Sequence, residues 1–160
     1  MDKLKVAIVG IGWWSDVLAT VLEKSPHLAL TACYSRSPQK VAAFARKFGC
    51  EPAGSLRELV SREDVEGVIL TTPNSQHREG VEAAAAAGKH VFVEKPIAND
   101  LVDAYAIVEA CRRAGVICVR ERRQPEVDGP EAIQSLSVVL AAIESAASER
   151  TIAVGHKHQQ

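Results

Sequence analysis

The feature that most limits the fold is an apolar run, Val6 to Val9, that stops at Gly10 and is followed by a second glycine, Gly12. A run of this kind is typical of a parallel strand that is buried on both faces. Gly10 permits a tight turn and Gly12 lets the backbone approach a phosphate, while the helix that follows offers unpaired N–H groups. Ser15 stands where the dinucleotide fingerprint has Gly or Ala; it is small enough for close packing, and its hydroxyl can donate to a phosphate. The sequence therefore predicts that a pyrophosphate binds at Gly10, Ile11, Gly12, Trp13, Trp14 and Ser15.

Strands and helices alternate over the residues that follow. The hydrophobic pattern predicts strands over 4–9, 28–34, 66–71, 90–94 and 116–120, and helices over 13–24, 37–48, 55–61, 75–87 and 99–114. Gly49, Gly88 and Gly115 stand where left-handed helix caps are expected, and Asn99 or Asp100 can cap the last helix. Because strands joined by single helices imply right-handed crossovers, the pattern predicts a parallel sheet.

The alternation stops after residue 120. Residues 121–129 are charged and contain Pro and Gly, which indicates a linker. Residues 130–148 have the spacing of an amphipathic helix, and 151–154 form a short apolar run that predicts a sixth strand. The expected fold is α/β, a three-layer doubly wound parallel sheet (Rossmann fold) with strand order 3-2-1-4-5-6. It forms a single domain over 1–155, closed by 130–154, with a disordered tail over 156–160.

The end of the second predicted strand indicates which dinucleotide binds. Sites for NAD place an acidic residue there, whereas sites for NADP place an Arg that accepts the 2′-phosphate. No Asp or Glu occurs over residues 25–49, and Arg36 lies between Ser35 and Ser37 with Lys40 in the next helix. These residues favour NADP, with NAD as the other possibility. The alternative to 2′-phosphate recognition is that Arg36 is a solvated surface residue that binds no ligand.

Polar residues also follow the strand predicted over 66–71. They are Thr71, Thr72, Pro73 and Asn74, with His77 shortly after them. In an open α/β sheet this edge faces the ligand crevice. Capping of the next helix by Asn74 or Ser75 is the alternative explanation for the polar side chains.

The strand predicted over 90–94 ends in Glu94, Lys95 and Pro96 at the same edge. Pro96 biases Lys95 toward an extended backbone, which would direct its ammonium group into the crevice. A cation there could orient a substrate hydroxyl beside a nicotinamide ring. The alternative is an exposed Glu94–Lys95 ion pair worth less than about 1 kcal/mol.

Three segments together, VAIVGIGWWS, TTPNSQH and AGKHVFVEKPIA, resemble the Gfo/Idh/MocA family of oxidoreductases in order and spacing, across residues 4–120. The resemblance implies a Rossmann domain that binds NAD or NADP and a catalytic role for Lys95. It also implies that Thr72, Pro73, Asn74 and His77 lie along the nicotinamide ribose.

Members of the family are more than twice as long as this chain, because a substrate-binding domain follows the Rossmann domain. Residues 128–154 resemble the C-terminal helix and strand of the family. The chain is therefore interpreted as a Rossmann domain whose substrate domain is missing and whose two parts are joined over 121–129.

Composition restricts the partners. The formal net charge of −1, and basic residues without interleaved aromatics, argue against nucleic acid. No signal peptide is expected, and the longest alanine-rich run, 83–87, is far too short to span a membrane. The four cysteines include no C-x-x-C pair, so no metal site is expected and the thiols indicate a cytoplasmic protein.

Three functions remain open from the sequence. The first is an NADP-binding domain of an oxidoreductase that has lost turnover with its substrate domain. The second is a non-catalytic nucleotide- or CoA-binding module, because the 3′-phosphate of CoA could also meet Arg36. The third is a folding scaffold whose exposed apolar interface makes it self-associate as a homodimer.

Overall fold

The computed structural model describes residues 2–116 and 136–140. Strands and helices alternate through the first of these ranges. In chain order they are β1 (Leu4–Val9), α1 (Trp13–Lys24), β2 (Leu28–Tyr34), α2 (Pro38–Phe48), β3 (Glu51–Pro52), α3 (Leu56–Val60), β4 (Gly67–Leu70), a 3-10 turn (Asn74–Gln76), α4 (His77–Ala86), β5 (His90–Val93) and α5 (Leu101–Ala114).

The described strands form one parallel sheet in the order β3-β2-β1-β4-β5. β1 lies at its centre, and Ile8 of β1 is paired with Cys33 on one side and Ile69 on the other. The predicted fold class and this part of the strand order are confirmed. The sixth predicted strand lies outside the described residues.

One strand of the sheet was missed by the sequence pattern. Glu51 and Pro52 pair with Ala32 and Cys33 of β2 and occupy the third position in the chain, so the strand predicted over 66–71 is the fourth. Two residues are too short to show an alternation of apolar and polar side chains. Pro52 is tolerated because β3 is an edge strand, where a missing backbone donor costs no sheet hydrogen bond.

Apolar side chains fill the space on both faces of the sheet. Leu70 and Ile107 belong to the core that includes α4 and α5. Ile8, Leu22 and Phe44 belong to the core that includes α1 and α2. This double coverage is why the central strands are almost continuously apolar in sequence.

The helix ends mostly follow the sequence prediction. Gly49 and Gly115 adopt the left-handed conformation after α2 and α5, and the Asp100 carboxylate accepts from the Asp103 amide at the start of α5. Capping by Asn74 or Ser75 is wrong, because neither the 3-10 turn nor α4 has a side-chain cap. Helix capping therefore does not explain the polar side chains after β4.

Several expectations concern residues outside the described ranges. They are the strand over 116–120 beyond Val116, the linker over 121–129, the strand over 151–154 and the tail over 156–160. Within the helix expected over 130–148, residues 136–140 are helical. Leu136 is buried in the same core as Ile107, which places this stretch against the α4–α5 side of the sheet. The extent of the domain to residue 155 stays a prediction.

Candidate dinucleotide site

A cleft of about 370 Å³ opens at the carboxyl ends of β1, β2 and β4. Its size falls in the range of small-molecule sites. Three of the four predicted segments meet there: the glycine turn, the residues after β2 and the residues after β4. The predicted site residues that line the cleft are Gly10, Ile11, Gly12, Ser35, Arg36, Ser37, Lys40, Thr71, Thr72 and Pro73.

The glycine turn is packed directly against the end of β4. Gly10 has a φ of +92°, and a Cβ added there would lie 2.7 Å from the Thr72 amide nitrogen and 2.8 Å from the Thr71 carbonyl carbon. The Thr71 hydroxyl donates to the Gly10 carbonyl oxygen at 2.6 Å. Only glycine fits this position, since a side chain would be strained and would also displace the neighbouring turn.

Gly12, unlike Gly10, is not in close contact with a neighbouring turn. Its backbone is extended, with φ −162° and ψ −168°, and a Cβ built on it would meet nothing within 4 Å. The position faces open space at the N-terminus of α1, where the first N–H groups have no partner within the helix. An anion can therefore approach this backbone closely.

The Ser15 side chain is fully buried behind the same turn. Its hydroxyl accepts from the Gly12 amide at 2.9 Å and donates to the Gly12 carbonyl oxygen at 2.7 Å. The hydroxyl hydrogen is thus directed at the turn itself and not at the cleft. Ser15 serves the close packing that the sequence predicts at this position.

Trp13 and Trp14 do not line the cleft. Trp13 is 77% exposed and Trp14 is 36% exposed. Their rings contact each other edge to face, with 5.3 Å between centroids. Neither ring belongs to a core of the described residues.

Two cations stand at the end of β2. Arg36 and Lys40 are both exposed and line the cleft. Neither forms an ion pair with any described residue. The nearby serine hydroxyls are used locally: Ser35 Oγ accepts from the Ser37 amide at 3.3 Å, and Ser37 Oγ accepts from the Lys40 amide at 3.5 Å.

A threonine of the cleft wall lacks a hydrogen-bond partner. The Thr72 Oγ1 atom is buried and is unsatisfied within the described part of the chain. A buried hydroxyl without a partner costs about 1–3 kcal/mol.

His77 lies behind the cleft and does not line it. Its side chain is fully buried at the first position of α4. The ring nitrogen Nε2 is 2.9 Å from the Thr72 carbonyl oxygen, and Nδ1 is 3.2 Å from the Ile97 carbonyl oxygen. Asn74 is in the 3-10 turn before it and also stays outside the cleft lining.

Glu94, Lys95 and Pro96 follow β5 and lie outside the cleft lining. The Glu94 amide donates to the Leu70 carbonyl oxygen at 3.2 Å, which places this segment beside the end of β4. Lys95 is exposed, and its peptide bond to Pro96 is cis. No ion pair joins Glu94 to Lys95 in the part of the chain that the structure describes, so the ion-pair explanation of these two residues is wrong.

Sequence reasoning missed part of the wall. Gln76 of the 3-10 turn and Glu79 and Gly80 of α4 line the cleft, and their helical spacing after Pro73 is the signal in the sequence that could have identified them. The remaining lining residues that were not predicted are Val9, Tyr34, Leu56 and Leu70.

The groups with clearly shifted pKa values lie away from the cleft. The interaction of the Cys33 thiol of β2 with the Cys50 thiol raises the pKa of Cys33 and lowers the pKa of Cys50. The Arg62 guanidinium lowers the pKa of Asp64 through a hydrogen bond, on the loop before β4. The charged residues that line the cleft are Arg36, Lys40 and Glu79.

The fold and the cleft together define a Rossmann domain of the dinucleotide-binding class. The model of the Gfo/Idh/MocA oxidoreductase family, described as having an NAD-binding Rossmann fold, matches residues 4–121. The chain therefore belongs to this family, and its described residues 2–116 fall in the NAD(P)-binding Rossmann domain.

Similar proteins agree with this assignment. An uncharacterized oxidoreductase of Streptococcus pneumoniae is 40% identical over 113 residues, which are 71% of this chain and 30% of the relative. The crystal structure of GenD2 from gentamicin A biosynthesis, in complex with NAD, has a TM-score of 0.70 and 29% identity over 74% of this chain and 34% of that one. The structure of KijD10, a 3-ketoreductase from Actinomadura kijaniata with NADP and TDP-benzene, has a TM-score of 0.69 and 30% identity over 72% and 36%.

This chain is much shorter than its relatives. It spans about a third of the length of the curated relatives it matches, from 25% to 37%. Within the described ranges, no helix has both the length and the apolar character to cross a bilayer. Those ranges also bring no three His, Cys, Asp or Glu side chains together as a metal site requires.

Proposed function

We propose that the chain binds NADP(H) in the cleft at the carboxyl ends of β1, β2 and β4. The proposal rests on two cations near the end of β2, Arg36 and Lys40. Both side chains are exposed and border the cleft, and neither has an ion-pair partner among the described residues. Two unpaired cations where a 2′-phosphate would lie favour NADP over NAD.

Other features of the cleft fit the pyrophosphate and the riboses. The space beside Gly12 is open, and the N-terminus of α1 favours negative charge there. The unsatisfied Thr72 Oγ1 is available to a ribose hydroxyl. When bound, the nicotinamide supplies hydride chemistry, and these residues hold and orient it.

The nicotinamide end of the site is proposed to lie toward the ends of β4 and β5. Lys95 is the proposed catalytic residue, because it is exposed and follows Glu94, whose amide is bonded to the end of β4. Lys95 also forms no ion pair with Glu94 among the described residues. The other residues proposed for this end of the site are Thr71, Thr72, Pro73, Asn74, His77, Glu94 and Pro96.

We propose that the chain binds the dinucleotide without catalysing turnover. Hydride transfer needs a substrate held against the nicotinamide and a general base for its hydroxyl proton. The family match ends at residue 121, and the chain spans about a third of its relatives. In this proposal the substrate site and the remaining catalytic groups belong to the part of the relatives that this chain does not match.

Titration with NADPH and NADH tests the proposal. Trp13 and Trp14 stand at the start of α1 beside the glycine turn, so their fluorescence reports binding there. We expect saturable quenching by both, with NADPH the tighter ligand. Absence of a saturable change with either dinucleotide contradicts the function, whereas tighter binding of NADH contradicts only the 2′-phosphate assignment. Displacement of NADPH by CoA at equal concentration would support the CoA-binding alternative.

Self-association as a homodimer is a second proposal. An apolar groove of about 490 Å³ lies between α1 and the β4–β5 part of the sheet. Val21 and Phe92 line it and are 60% and 40% exposed. Burial of such a surface in a second copy would stabilise a dimer. A light-scattering mass equal to one chain would contradict it.

A cytoplasmic location is also proposed. Cys33, Cys50 and Cys111 are buried and form no disulfide within the described residues, as expected of thiols that stay reduced. Detection of the protein in the cytosolic fraction of fractionated cells would support the proposal, and recovery in a secreted fraction would contradict it.

A further inference from the structure

We infer that His77 is a positioning residue that ties the turn after β4 to the segment after β5, and thereby sets the places of Thr72 and Lys95. The observation is the pair of ring contacts: Nε2 lies 2.9 Å from the Thr72 carbonyl oxygen and Nδ1 lies 3.2 Å from the Ile97 carbonyl oxygen. The statement that these two segments bind the dinucleotide rests on the proposed function. The statement that His77 holds them in place does not.

Because the His77 ring is completely buried, loss of either contact would be costly. His77 has no exposed surface, so water does not compete for its nitrogens. A buried polar group that loses its partner costs more than an exposed one. Both partners are backbone carbonyls, which accept hydrogen bonds and cannot donate them. The ring thus lies between two specific peptide groups, and the tautomer sets which nitrogen donates to its carbonyl.

The two peptide groups belong to the two segments that face the nicotinamide end of the proposed site. Thr72 borders the cleft, and its own hydroxyl is buried without a partner. Ile97 comes directly after Pro96, two residues beyond Lys95. One side chain thus bridges the cleft wall and the loop of the proposed catalytic lysine, although it lines no part of the cleft itself.

Amide substitutions can separate the two contacts. The side-chain amide of Asn reaches the position of Nδ1, and that of Gln reaches the position of Nε2. His77→Asn should therefore keep the bond to Ile97 and lose the bond to Thr72, whereas His77→Gln should do the reverse. His77→Phe fills the space and keeps neither.

The first measurement needs no ligand. In amide ¹H–¹⁵N spectra of the free chain, we expect His77→Asn to shift the signals of Thr71 and Thr72. His77→Gln should shift those of the non-proline residues over 94–98, and His77→Phe should shift both sets. Shifts confined to α4, or the same shifts in the Asn and Gln variants, would overturn the inference. If the Phe variant does not fold, the Asn and Gln pair decides alone.

The second measurement separates positioning from general damage. We expect His77→Asn to weaken NADPH binding about tenfold (about 1.4 kcal/mol) and to leave the affinity for adenosine 2′,5′-bisphosphate, which lacks the nicotinamide half, unchanged. An equal loss for both ligands would indicate a merely structural role and overturn the inference. If the unaltered chain binds no dinucleotide, the proposed function fails, and the spectra of the free chain still decide the role of His77.

Discussion

The hydroxyl of Thr71 lies 2.6 Å from the carbonyl oxygen of Gly10 and donates a hydrogen bond to it. This bond joins the first residue after β4 to the first residue after β1, across a contact so close that no side chain fits at Gly10. The glycine turn and the turn after β4 are therefore packed and bonded to each other in the cleft wall.

Replacement of Gly10 by alanine should destabilise the fold. The added Cβ would lie 2.7 Å from the Thr72 nitrogen at a φ of +92°. Backbone strain of this kind costs about 1–3 kcal/mol, and the contact with the neighbouring turn adds to it. Urea unfolding of Gly10→Ala followed by circular dichroism measures the change in the free energy of unfolding. Unchanged stability would contradict the packing described for this turn.

Replacement of Gly12 by alanine should affect binding and spare the fold. A Cβ at Gly12 meets nothing within 4 Å, and the backbone there is extended. The methyl group would enter the space that a pyrophosphate needs. We expect Gly12→Ala to unfold within about 0.5 kcal/mol of the unaltered chain and to bind NADPH at least about tenfold more weakly. Retained affinity would show that the dinucleotide lies elsewhere.

Removal of the Arg36 guanidinium should distinguish the two dinucleotides. A hydrogen bond to a charged group contributes about 1.5–3 kcal/mol, so Arg36→Ala should weaken NADPH binding about tenfold to a hundredfold. NADH has no 2′-phosphate, and its affinity should change little. The control is Arg46→Ala, an exposed arginine at the end of α2 that does not line the cleft. Equal losses for both dinucleotides would contradict a role in 2′-phosphate recognition.

The sequence was sufficient to predict features whose cause is local. The tight turn at Gly10, the left-handed caps at Gly49 and Gly115 and the alternation of strands and helices each arise from residues near one another in the chain. Those predictions are confirmed, since tertiary contacts reinforce the local preference.

Features that depend on distant contacts escaped prediction. β3 exists because Glu51 and Pro52 meet β2, and two residues carry no periodic signal. The burial of His77 depends on carbonyl groups of Thr72 and Ile97, five and twenty residues away. No sequence pattern reports where such carbonyls point. α4 also lies beside the cleft, where Glu79 lines the wall, and this position depends on packing between distant segments.

The ion pair between Arg62 and Asp64 should make stability depend on pH. The hydrogen bond from Arg62 lowers the pKa of Asp64 in the folded chain. A lowered pKa contributes stability above the ordinary pKa of an aspartate, about 3.9, and this stability is lost as pH falls through the folded value. The Asp64 side chain is 44% exposed, so the contribution is screened and should stay below about 1 kcal/mol.

Urea unfolding of Asp64→Asn at pH 7 and at pH 3 checks this expectation. The variant should be slightly less stable than the unaltered chain at pH 7, and the difference should shrink at pH 3. Glu63→Gln is the matched control, because Glu63 is an exposed neighbour that forms no ion pair with any described residue. If the difference in the free energy of unfolding between Asp64→Asn and the unaltered chain grew toward low pH, the lowered pKa of Asp64 would be contradicted.

The thiol pair behind β2 gives a final prediction. A hydrogen bond with Cys33 lowers the pKa of Cys50, since an S–H group of Cys33 stabilises the Cys50 thiolate, while burial acts in the opposite direction. Cys33→Ala removes the donor and should raise the pKa of Cys50, whereas Cys33→Ser keeps a donor and should restore the low value. The pH dependence of alkylation by iodoacetamide, with Cys50 identified by mass spectrometry, measures this shift because the thiolate is the reacting form. Identical pH profiles for the Ala and Ser variants would show that burial, and not the neighbouring thiol, controls Cys50.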